Sequence, residues 1–346
     1  MRILNVYKWA TVGGVERVFL NRAMAFKKHC VDVRQDVFFF HDSGGLLSFQ
    51  KYITHFGLED YINVVQEIKE EKYELIFSFD TPEIFSYVSD ASKLVVECHT
   101  PYDEARVYLK SLPKSIAAVV SPGNAFMESV IKREIPDIFT DRLTVLPNFY
   151  IGYEDACVPP TRIWSKKPLC YVGRMDSLKN TKEFLAMFSA MRKKFEDDYF
   201  LLLVGDVRPD YMDLRETVKK LGIEDRVAYY RPIPFEKVDA LFRVVKRHEG
   251  IFVSPSQGES FGLSALEAMS NGVPVLLSDI ECHKALVCGD PGFLYRQGNI
   301  GDAVKKIEGL FSCYSSLSGK VMDLAIKHNS DAFIAAWNSN FCLTDR

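Results

Sequence analysis

Strand-length apolar runs alternate with helix-length amphipathic runs along nearly the whole chain, and this rhythm restricts the fold more than any single residue does. Residues 2–7, 32–40, 75–78, 94–97, 117–121 and 143–146 read as strands. Helices are expected from the Gly13-Gly14 pair to about Lys28, over 61–72 and over 124–133. The pattern then repeats, with strands at 169–172, 200–204, 227–230 and 251–254 and helices over 182–194, 210–221 and 236–245. A last helical stretch, 321–341, carries Trp337. Such alternation implies parallel sheets flanked by helices, because a parallel neighbour is reached only through a crossover. The expectation is an α/β chain of two Rossmann-like units: a first domain over 1–153, a linker over 154–167 marked by Pro159-Pro160, a second domain over 168–320 and a final helix over 321–346. Two such units side by side would leave an interdomain cleft facing the carboxyl ends of both sheets, where α/β proteins bind ligands.

One strand end stands out chemically. The buried-strand run 251–254 is followed by Pro255-Ser256-Gln257-Gly258-Glu259-Ser260-Phe261-Gly262-Leu263 and then by Ser264-Ala265-Leu266-Glu267. On one continuous helix Glu259 and Glu267 would point roughly 80° apart and be separated by about 12 Å along the axis. Pro255, Gly258 and Gly262 argue against helix that early, so a helix is expected to begin near 261–263. Glu259 then lies in the loop above the helix start and Glu267 in its first or second turn. The free N–H groups of the first turn, from Phe261 through Ser264, suit an anion such as a diphosphate, with an acid on each side to hold hydroxyls.

Other strand ends carry matching chemistry. After the strand at 169–172, Gly173-Arg174 and then Lys179 precede a helix, and two cations there would neutralise a diphosphate. The run 201–204 ends in Gly205, which lets a ligand approach the backbone or simply makes a turn. Gly13 and Gly14 open the first helix without side chains, and Glu16 follows in its first turn, where the helix dipole favours an acid. They are not a dinucleotide fingerprint, since G-x-G-x-x-G is absent. His99 ends the strand 94–97 and the Cys98 that follows it.

Glu-Ser-Phe-Gly-Leu-Ser-Ala-Leu-Glu at 259–267 resembles the E-x7-E motif of the retaining glycosyltransferases of family 4, which have the GT-B fold. The resemblance extends over most of the chain. It implies that Arg174 and Lys179 hold the donor phosphates, as in the family's G-R…K pattern. Gly13 and Gly14 match the family's G-G-x-E start, against the donor phosphate or the acceptor. Gly205 and the loop Arg231-Pro232-Ile233 match the nucleotide side, where the base is read largely by backbone atoms. His99 matches a family histidine that binds a donor hydroxyl. Ser260, Phe261, Gly262 and Leu263 would supply amides to the diphosphate, Glu259 would hold the sugar, and Glu267 would hold the ribose. The final helix would return to the first domain. Pro147-Asn148-Phe149 departs from the family's Pro-Asn-Gly and puts the local turn and acceptor shape in question.

The function that follows is transfer of a sugar from a nucleotide-diphosphate sugar, UDP taken ahead of GDP, to a hydroxyl of a glycan or glycolipid. Retention of configuration, a hexosyltransferase type and independence of metal or other cofactor come with the resemblance, as does a place in surface polysaccharide or lipopolysaccharide synthesis. Two alternatives stay open: a nucleotide-sugar epimerase of the same fold, and a catalytically silent nucleotide-sugar-binding subunit. The net charge of −3 over 346 residues offers no basic surface for nucleic acid. No apolar run reaches the ~18 residues needed to span a bilayer. No signal peptide is legible, and eight cysteines without C-x-x-C spacing suit a reducing cytoplasm. A cytoplasmic location is therefore expected, with peripheral contact at the inner face of the membrane left open and oligomeric state unassigned.

Overall fold

The computed structural model describes residues 1–11, 13–152, 163–192 and 198–342. Most of the expected linker lies outside these residues, as does the end of the helix expected over 182–194. The chain divides into two compact units, Met1–Ile151 with His328–Arg346, and Gly152–Lys327.

The first unit begins β1 (Arg2–Ala10), α1 (Gly14–Lys28), β2 (Arg34–Asp42), α2 (Leu46–His55) and β3 (Ile62–Val64). It continues with β4 (Leu75–Phe79), β5 (Leu94–Glu97), β6 (Ala118–Ser121), α3 (Ala125–Glu134) and β7 (Leu143–Val145). These strands form one seven-stranded sheet in the order β3-β2-β1-β4-β5-β6-β7, and every pairing is parallel. The strands at its centre are buried on both faces, as unbroken runs such as Leu94-Val95-Val96 require. The helix expected over 61–72 is not there. Ile62 instead pairs with Gln35 at the sheet edge, and only Glu70–Lys72 makes a helical turn, of 3-10 type. The Glu70 carboxylate is drawn away from local pairing by the amides of Ser89 and Asp90, both at 2.8 Å.

The second unit runs β8 (Lys167–Val172), α4 (Thr181–Arg192), β9 (Tyr199–Val204), α5 (Leu214–Lys220), β10 (Val227–Tyr230), α6 (Val238–Arg247) and β11 (Ile251–Ser254). There follow α7 (Leu263–Ser270), β12 (Val275–Ser278), α8 (Glu281–Leu286), β13 (Leu294–Tyr295), α9 (Ile300–Ser312) and α10 (Tyr314–Ala325). Its six strands are parallel, in the order β10-β9-β8-β11-β12-β13. The helix expected over 210–221 starts later, at Leu214, where the Asp213 side chain accepts the Glu216 amide at 2.9 Å. Both units are Rossmann-like, so the chain has the GT-B fold class.

The stretch expected as one helix over 321–341 is two. Asn329 accepts the Ala332 amide at 2.9 Å and starts α11 (Ser330–Phe341) afresh. Ahead of that break, α10 stays with the second unit, where Ser318 donates to the Gly272 carbonyl at 2.7 Å. The unit division therefore falls at Lys327 and His328 rather than at residue 321. Within the first unit α11 completes the core. Trp337 is fully buried, 5.0 Å from Phe26 of α1 and 5.8 Å from Phe77 of β4 between ring centroids. Phe149, the residue that breaks the Pro-Asn-Gly pattern, stacks on Phe333 of α11 at 5.0 Å, and its carbonyl accepts from Asn21 at 2.9 Å. Its bulk is thus spent on holding α11. Among the described residues no helix is long and apolar enough to cross a membrane.

Trp337→Ala should destabilise the first unit by about 3–5 kcal/mol, the usual cost of emptying a buried aromatic site. Urea unfolding followed by far-UV circular dichroism reads this directly. A loss below about 1 kcal/mol would mean that α11 is an accessory to the core rather than part of it.

Candidate active site

In the second unit β11 is wholly buried and releases the chain into the loop that carries Glu259. That loop ends at Gly262, whose φ of +87° is open to glycine and strained for other residues. The turn aims the first amides of α7, which have no intrahelical acceptor, out of the helix end. Phe261 is buried beneath it and Glu267 is buried one turn further on. The expected start of this helix at 261–263 is where it begins.

Glu259 is partly buried and accepts from Lys179 Nζ at 2.6 Å and from Ser256 Oγ at 2.8 Å. Burial pushes its carboxyl up, but the Lys179 ammonium and these hydrogen bonds outweigh that and hold it below the ordinary carboxylate range. Lys179 itself is positioned by a loop between β8 and α4. Asp176 accepts the Lys179 amide at 2.9 Å and also pairs with Arg174 Nε. The buried Tyr171 hydroxyl donates to the Arg174 carbonyl at 2.7 Å. Arg174 and Lys179 are therefore held by one carboxylate in one loop, with the Arg174 side chain about half exposed (52%). The structure brings Lys179 and Glu259 together as an ion pair, a contact that their separation of 80 residues conceals.

Gly205 serves the strand-end packing that was one of its two expected uses. A Cβ there would lie 1.9 Å from the Gly173 carbonyl oxygen, so the two glycines let the ends of β8 and β9 close on each other. The missing side chain makes room for backbone. Arg231 and Pro232 are exposed and Ile233 is half-buried in the loop after β10. The Tyr230 carbonyl just before them accepts the Gly205 amide at 3.0 Å.

His283 of α8 belongs to the same neighbourhood. It is fully buried, and its Nδ1 stands 3.0 Å from the Ser278 carbonyl. Ser278 Oγ donates to the Ser256 carbonyl at 2.5 Å, in the loop that positions Glu259. Burial lowers the His283 pKa to about 4, against the pull of Glu259, so the ring is neutral at pH 7 and Nδ1 donates its hydrogen to Ser278.

In the first unit Glu16 organises the loop before α1. It accepts from the Thr11 amide and hydroxyl at 2.5 and 2.9 Å and from the Gly13 amide at 2.9 Å. Gly14 has open space where a side chain would stand. His99 follows β5, is 8% exposed, stacks on Phe79 at 5.3 Å and meets Glu97 Oε1 through Nε2 at 2.7 Å. Glu97 in turn is held by Arg22 of α1 through two hydrogen bonds of 2.5 and 3.0 Å. Burial raises the Glu97 carboxyl, and Arg22 and His99 together bring it below its ordinary value. An ionised Glu97 fixes Nε2 as a protonated ring nitrogen that donates to it.

Arg22, Glu97, Asp176 and His283 were not singled out in the sequence. Arg22 had a signal: it shares the α1 stripe of Val15, Val18, Phe19 and Phe26, where a charge is out of place. Glu97 had one too, ending an otherwise apolar strand two residues before His99. His283 had none.

Residues 162–320 match the family model described as glycosyl transferases group 1. Among curated relatives, a D-inositol 3-phosphate glycosyltransferase of Corynebacterium kroppenstedtii is 32% identical over 115 residues, 31% of this chain and 24% of that one. The O-antigen chain mannosyltransferase B of Escherichia coli is 28% identical over 204 residues, 56% of this chain and 52% of that one. The matched stretches thus span about half of these relatives' length or less. Among solved structures, Anabaena Alr3699/HepE in complex with UDP and glucose superposes with a TM-score of 0.79 at 16% identity, covering 98% of this chain and 99% of that one. Residues 162–320, most of the second unit, thus resemble the group 1 glycosyl transferases, within a chain of GT-B fold.

The neutral buried His283 has a consequence for stability. Its folded pKa of about 4 lies below its unfolded value near 6.5. The unfolded chain therefore takes up the proton first, and stability present above pH 6.5 is lost as pH falls towards 4. The full loss is about 3 kcal/mol. Urea titrations at pH 7 and pH 5 should show a smaller pH dependence for His283→Gln than for the parent. Identical dependence in both would exclude His283 as a source.

Proposed function

We propose that this protein is a retaining glycosyltransferase that moves a sugar from a nucleotide-diphosphate donor to a hydroxyl of a glycan or glycolipid. The observation that carries this reading is the α7 start: a left-handed Gly262 opening a helix between Glu259 and Glu267, with the Lys179–Glu259 pair beside it, inside the region that matches the group 1 model. UDP is taken as the nucleotide ahead of GDP, since the similar Anabaena protein was solved with UDP and glucose. The similarity to an O-antigen mannosyltransferase supports a role in surface polysaccharide or lipopolysaccharide synthesis.

In this reading the amides at Phe261, Gly262 and Leu263, with Ser260 before them, receive the diphosphate together with Arg174 and Lys179. Negative charge builds on the leaving diphosphate as the anomeric bond breaks, so donors fixed in place stabilise the transition state more than the ground state. Glu259 keeps Lys179 oriented and offers its second oxygen to a sugar hydroxyl, while Glu267 takes the ribose hydroxyls. His99, held by Glu97 and Arg22, contacts a sugar hydroxyl. Gly13 and Gly14 place no side chain at the start of α1, and the Arg231-Pro232-Ile233 backbone reads the base. The cationic side chains and helix amides take the charge-stabilising role that a divalent cation would otherwise fill, and turnover is expected to persist in EDTA.

A thermal-shift panel of UDP, GDP and other nucleoside diphosphates should raise the midpoint most with UDP. Lys179→Ala should cost about 100-fold or more in kcat and also weaken donor binding. Glu259→Ala should cost rate more than donor affinity. Proton NMR of the product made from an α-linked donor should show an α-linkage. No shift with any nucleotide, or turnover unchanged in both variants, would overturn the reading.

A further inference from the structure

We propose that Trp9, backed by His41, is a stacking platform for a pyranose ring of the acceptor glycan. The proposal rests on the transferase reading above and adds to it a binding site in the first unit. It begins in the sheet. β1 and β4 pair only as far as Tyr7 and Phe79, whereas β1 and β2 continue together through Trp9–His41 and Ala10–Asp42. Residues 8–10 and their β2 partners thus form a two-stranded ribbon that runs on past the carboxyl end of β4 for about 10 Å. Its end is anchored at Ala10, whose carbonyl accepts the amides of Ser43 and Gly45, both at 3.0 Å.

The ribbon ends in an aromatic pair. Trp9 and His41 are direct cross-strand neighbours, with ring centroids 4.6 Å apart and planes inclined by 31°. Trp9 is 41% exposed, whereas Trp337 is fully buried. A single exposed aromatic is commonplace. Here the indole is braced by a second ring, and its neighbour Lys8, with Nζ 5.6 Å from the indole centroid, pairs with Glu83. Two residues further on, Thr11 enters the loop that Glu16 organises around Gly13.

A partly exposed indole with polar groups beside it fits a sugar ring, which has one face of C–H bonds and a belt of hydroxyls. It fits an anionic lipid surface less well, because Glu83 neutralises Lys8 and Asp42 adds a negative charge beside His41, so the patch has no excess of cations. Stacking involves no covalent step. It would hold the acceptor beside the Thr11–Gly13 loop and select rings whose C–H face is free of axial hydroxyls.

The test uses the full chain with methyl glycosides of glucose, galactose, mannose and N-acetylglucosamine as probes, read by saturation-transfer difference NMR. At least one glycoside should receive saturation through its ring C–H protons. Trp9→Ala should abolish the transfer, and Trp9→Tyr should retain it. With a working acceptor, Trp9→Ala should raise the acceptor KM about tenfold, the size of one aromatic contact, with donor KM unchanged. The nucleoside-diphosphate thermal-shift panel monitors folding and the donor site separately: no shift with any nucleotide alongside glycoside binding would sink the transferase reading and leave the platform standing. No saturation transfer to any glycoside, or transfer that survives Trp9→Ala, would overturn the platform. So would binding of phosphatidylglycerol vesicles that depends on Trp9, because the face would then belong to a membrane.

Discussion

All the paired strands of both sheets run parallel, and most of the site follows from that constraint. A parallel strand cannot hand the chain to its neighbour through a tight turn, so each ends in a loop that climbs into a helix. The loops at one edge of a sheet therefore gather the carboxyl ends of strands far apart in sequence. In the second unit this sets Lys179, following β8, against Glu259, following β11, although 80 residues separate them. In the first unit it brings Glu16, following β1, and His99, following β5, to the carboxyl edge of one sheet.

Charges buried at these edges persist because each is matched. Removing a carboxylate from water costs several kcal/mol unless a partner and hydrogen bonds compensate. Glu97 has Arg22 on one side and His99 on the other, and it remains ionised in a fully buried position. Glu259, only partly buried, has Lys179 and Ser256 and is likewise held below the ordinary carboxylate range. Such pairs add little to net stability compared with apolar residues of the same shape, but they fix direction. Arg22 and Glu97 orient the His99 ring, and Glu259 orients the Lys179 ammonium. The two units thus use the same device, a partnered carboxylate that aims the group a ligand would meet.

The elements that sequence reading located were those that announce themselves through local chemistry. Buried strands such as β5 and β11 are short apolar runs ended by polar residues, and α3 and α7 carry their start signals in Asn124 and Gly262. Errors arose where tertiary contacts overrode local preference. The charged stretch before Tyr73 has helical composition, yet Ile62 is taken by the sheet edge and Glu70 by the Ser89–Asp90 turn. The break at Asn329 is a cap inside an otherwise continuous helical pattern. The site shows the same division. Glu259, Lys179 and the glycine-started helix were visible as spacing beside a strand end. Their ion pair was not, nor was His283, whose place depends on Ser278 and Ser256 rather than on its own neighbours.

The glycines show why residue type alone is an ambiguous signal. Gly262 is required by its own backbone, with φ at +87°. Gly205 also has a positive φ, but its more severe constraint comes from another strand, since any side chain would strike the Gly173 carbonyl. Gly14 is required by neither: it is at the start of an ordinary helix with open space around it. A glycine that answers to no internal demand is the one whose missing side chain a ligand can use.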